Sequence, residues 1–77
     1  MRIPALTKKQ KYIITGIKEK GEELKKRIRE IDGVIDVKTD PVMNQITIIY
    51  DPTLHGVLKE VENEIKEIGC EILYKSF

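Results

Sequence analysis

The chain has a single cysteine, Cys70, and a single histidine, His55. One thiol excludes an internal disulfide. One imidazole excludes a His pair or a His-based metal site within one chain. No apolar run approaches the roughly 18 residues of a membrane span, so no membrane association is expected. Met1–Thr7 lacks the long apolar stretch of a signal peptide, and with the lone cysteine this favours a reducing, cytoplasmic setting. Excess charge is also missing. Fourteen basic and 13 acidic residues leave a net charge of +1, which exerts no general pull on nucleic acid or anionic lipid. Gln, Asn, Met and Cys are scarce while Ile, Lys and Glu abound, a bias typical of proteins from hot environments. No Gly/Ser-rich or Pro-rich linker divides the chain, and 77 residues make one domain at most. A chain this short buries only about 60% of its unfolded surface, so each large apolar residue counts.

What is present is a regular alternation of elements. Residues 1–10 read as an N-terminal tail interrupted by Pro4, with a basic cluster at Lys8, Lys9 and Lys11. Residues 11–77 form the domain. Tyr12–Thr15 is a short aromatic and β-branched run, a strand. From Glu19 or Glu22 the period becomes helical, with Leu24, Ile28 and Ile31 on one stripe. Glu22–Lys26 and Glu23–Arg27 are candidate i, i+4 ion pairs, and Gly33 suits a left-handed helix end. Val34–Thr39 and Gln45–Tyr50 read as strands joined by a turn at Asp40–Asn44, an antiparallel hairpin. Asp51 or Thr53 would cap a second helix, in which Leu54, Leu58, Val61, Ile65 and Ile68 form a stripe that Gly69 ends. Cys70–Tyr74 is the last strand. The expected core is Ile13 or Ile14, Leu24, Ile28, Ile31, Ile48, Leu58, Val61, Ile65 and Ile72. The order β-α-β-β-α-β is the ferredoxin-like plan, a four-stranded antiparallel sheet with two helices on one face and strands one and three at its centre.

Particular residues add to this plan. Gly16-Ile17 closes strand one, and Asp32-Gly33-Val34 follows helix one. Ile48-Ile49-Tyr50-Asp51-Pro52 ends strand three, and Ile65-Lys66-Glu67-Ile68-Gly69-Cys70 ends helix two. Over about residues 11–74 their order and spacing resemble the heavy-metal-associated domains. Those domains have Gly-Met after strand one, Gly-Val after helix one, an aromatic-Asp-Pro after strand three and Ile-x-x-x-Gly-Tyr at the end of helix two. Their metal loop is Gly-Met-x-Cys-x-x-Cys. Laid on this chain, its two cysteines fall on Glu19 and Glu22. Copper(I) prefers thiolates and carboxylates are hard ligands, so copper-chaperone activity by the family mechanism is not expected.

Cys70 falls on the family's Tyr position, and the resemblance implies that its loop lies near the metal loop. Glu19, Glu22 and Cys70 are therefore the only candidates for a residual metal site. Each has a plainer reading. Acidic residues in a first helical turn complement the helix dipole, and free cysteine is among the most buried residue types. A thiol at a helix C-terminus, near Glu67 and Glu71, should also be sluggish, with Lys18 or Lys20 able to oppose this.

Catalysis has no constellation to rest on. Cys70 and His55 flank the second helix, some 20 Å apart at about 1.5 Å per residue. Ile46–Ile49 carries no stacking ring of the kind RNA-binding sheets use. No Gly-rich phosphate loop with a following Arg is present. Lys20-Gly21 before Glu23-Leu24 faintly resembles the first loop of amino-acid-binding regulatory domains. The expectation is a non-enzymatic binding or interaction module with no cofactor and a protein partner or a second copy of itself. The alternatives are a metal binder using Cys70 with carboxylates or across a dimer, and a sensor of small molecules.

Overall fold

The computed structural model describes residues 6–76, which run β1 (Lys8–Ile14), α1 (Ile17–Arg29), β2 (Val34–Asp40), β3 (Gln45–Tyr50), α2 (Val57–Ile68) and β4 (Ile72–Ser76). The strands form one antiparallel sheet ordered β2-β3-β1-β4, the ferredoxin-like arrangement, with the first and third strands central. No helix among the described residues is long and apolar enough to cross a membrane.

The core lies between the helices and one sheet face. α1 buries Ile17, Leu24 and Ile28, and α2 buries Val57, Val61, Ile65 and Ile68. They close over Tyr12, Ile14, Val37, Ile46 and Ile48. Of the expected core, Ile14, Leu24, Ile28, Ile48, Val61 and Ile65 are fully buried, while Ile31 and Ile72 pack at its margin. Ile13 and Leu58 are half-buried.

Four elements start at residues other than those expected. β1 begins at Lys8, inside the segment read as a tail, because Lys8, Lys9 and Gln10 pair with Tyr50, Ile49 and Ile48. The lysines hide the strand period. Gln10 points inward and its amide donates to the Ser76 carbonyl at 2.8 Å, so a polar residue fills a core-facing position. Met1–Ala5, with Pro4, lie outside the described residues.

α1 begins at Ile17, earlier than the acidic residues suggested, and ends at Arg29. Its ion pairs also differ. Glu22 meets Lys25 at 3.4 Å, and Arg27 reaches across to Glu64 on α2 at 3.5 Å. α2 begins at Val57. Asp51 Oδ1 accepts hydrogen bonds from the Thr53 N–H at 2.9 Å and the Thr53 hydroxyl at 2.6 Å, so this carboxylate closes a tight turn and caps no helix. These two bonds hold the Asp51 carboxyl below its usual pKa range. Leu54 thus falls outside the helical stripe and is partly exposed, but it still packs over Gly33. Gly33 has φ 96°, and a Cβ there would stand 2.7 Å from Val57 Cγ2, so both backbone and space demand glycine. β4 begins at Ile72, since the Cys70 N–H is bound to the Ile65 carbonyl in the helix cap and the Glu71 N–H to Thr15 Oγ1.

One polar network crosses the core. The Tyr12 side chain is fully buried and its hydroxyl donates to Glu62 Oε2 at 2.9 Å, while Lys75 Nζ binds Glu62 Oε1 at 3.0 Å. Burial, then the adjacent Glu62 carboxylate, holds the phenol protonated well above its usual range. Glu62→Ala would strand this hydroxyl, and a loss of about 1–3 kcal/mol is expected in urea unfolding. The same substitution in a Tyr12→Phe background should cost clearly less. An equal cost in both backgrounds would show that the hydrogen bond contributes nothing.

Candidate functional site

The corner named by the sequence is assembled from three loops at one end of the sheet. The Thr15 N–H donates to the Glu71 carbonyl at 3.0 Å, and the Glu71 N–H returns a bond to Thr15 Oγ1 at 2.8 Å. The Ile14 N–H donates to the Asn44 carbonyl at 2.9 Å, adding the β2–β3 turn, where Asn44 takes φ 53°. Gly16 then turns the chain into α1 with φ 78°, and a Cβ there would lie only 3.2 Å from Cys70 Sγ. Glycine is required by the left-handed backbone and by the thiol packed on it. The loop after strand one and the loop after α2 are thus adjacent, as the resemblance implied.

The candidate ligands do not converge. Glu19 lies in the first turn of α1 and is exposed. Glu22, one turn on, has a side chain 92% exposed and pairs with Lys25. Cys70 is buried, with 5% exposure. Among the described residues no group of three or more His, Cys, Asp or Glu side chains is placed to hold a metal ion. His55 is exposed in the turn before α2.

The group that does reach into this corner is Lys20. Its ammonium donates to the Ile68 carbonyl at 2.7 Å and lies within reach of Gly69. A cation on the last turn of α2 satisfies an orphan carbonyl and opposes the negative end of the helix dipole. Periodicity gives no hint of this bond, because its partners are 48 residues apart.

Burial is the main force pushing the Cys70 thiol above its ordinary pKa. Glu19 pushes the same way, and Lys20 partly opposes both. The sequence anticipated the direction but assigned it to the helix end and to Glu67 and Glu71. Alkylation of Cys70 in folded protein should be slow at neutral pH, should rise only in alkaline solution, and should accelerate on unfolding. A rate that already levels off below pH 7 would reveal a preformed thiolate and overturn this assignment.

The corner thus presents one buried thiol, two exposed carboxylates on the first turns of α1 and an ammonium bound to a backbone carbonyl.

No protein-family model matches the chain, and no curated protein matches it significantly. Solved structures do. The CsoZ metallochaperone superposes with a TM-score of 0.75 at 25% identity, over 90% of this chain and 100% of that one. Oxidized MerP from Ralstonia metallidurans CH34 gives 0.74 at 15% identity, over 90% and 100%. A copper-binding domain from HMA7, a P-type ATPase, gives 0.69 at 20% identity, over 90% and 97%. The chain is structurally similar to the heavy-metal-associated domains along nearly its whole described length.

Proposed function

We propose that this chain is a non-enzymatic interaction module built on the heavy-metal-associated scaffold and lacking its cysteine metal site. The observation that carries this reading is the loop corner itself. The two loops approach each other as the resemblance implies, the positions that the resemblance assigns to paired thiols hold the exposed Glu19 and Glu22, and the Lys20 ammonium binds the Ile68 carbonyl. A fixed cation beside Cys70 disfavours a second one. The burial of Cys70 weighs against its being shared across a dimer as a ligand. The structural neighbours are a metallochaperone and metal-binding domains, so the reading keeps to binding. Its partner is a protein.

The test is a competition titration of tag-free monomer with copper(I) and with zinc. Structural zinc sites bind with about 10–16 kcal/mol because several deprotonated ligands act together, and no such set is offered here. Weak, non-stoichiometric binding is expected. Tight one-to-one binding would overturn the reading in favour of a residual metal carrier.

A further inference from the structure

We draw no further inference here: the strongest candidate, the free edge of β4 with Leu73 and Tyr74 exposed beside it, is broken by a register shift opposite Ile13 and Ile14, and nothing in the structure shows what covers it.

Discussion

Truncating Ile28 or Ile65 to alanine should remove about 2–5 kcal/mol of folding free energy, the range for a large core aliphatic. Both side chains are fully buried, one on the apolar stripe of each helix. The cost combines lost transfer energy with the cavity left behind. A domain of this size has roughly 4–12 kcal/mol of stability in total, so either change should shift the urea midpoint severely. Leu58 supplies the internal comparison, because it is only half-buried and its truncation should cost less. If both isoleucine variants lost under about 1 kcal/mol, the helices would not close over the sheet as described.

Glu19→Cys together with Glu22→Cys should turn the chain into a copper(I) binder, with a gain of orders of magnitude over the wild-type protein. The two positions are i, i+3 at the start of α1 and so share a helix face. Gly16 and the buried Ile17 already hold the loop in place. Two thiolates are soft ligands suited to copper(I), as two carboxylates are not. Lys20→Met in the same background should strengthen binding further, because it removes an ammonium that would repel the metal. The readout is competition against a chromophoric chelator. A double-cysteine variant with no more affinity than wild type would show that the likeness to metal-binding domains ends at the backbone.

The elements that the sequence disclosed are those written in periodicity. The 3.6-residue stripes of α1 and α2, the β-branched run of β3 and the Asp40–Asn44 turn are local patterns, and local patterns were enough for the element order and the ferredoxin-like plan. β1 was half-missed because lysines on its open face masked the alternation. The start of α2 was misplaced because Asp51 reads equally well as a helix cap or as a turn former, and only the bonds from Thr53 distinguish the two.

At the candidate site, the sequence by itself determined which ligands are absent: one thiol, one imidazole and two glutamates cannot become a cysteine pair in any fold. It also determined that Gly16 and Gly69 bound the loops of the corner. Only the tertiary structure decided what occupies that corner. The Lys20–Ile68 bond, the packing of Cys70 on Gly16 and the Tyr12–Glu62–Lys75 network all join residues distant in sequence. Composition and period fix what each segment buries, but a polar contact between remote segments depends on how the helices and strands are placed against one another. No single stretch of sequence carries that information.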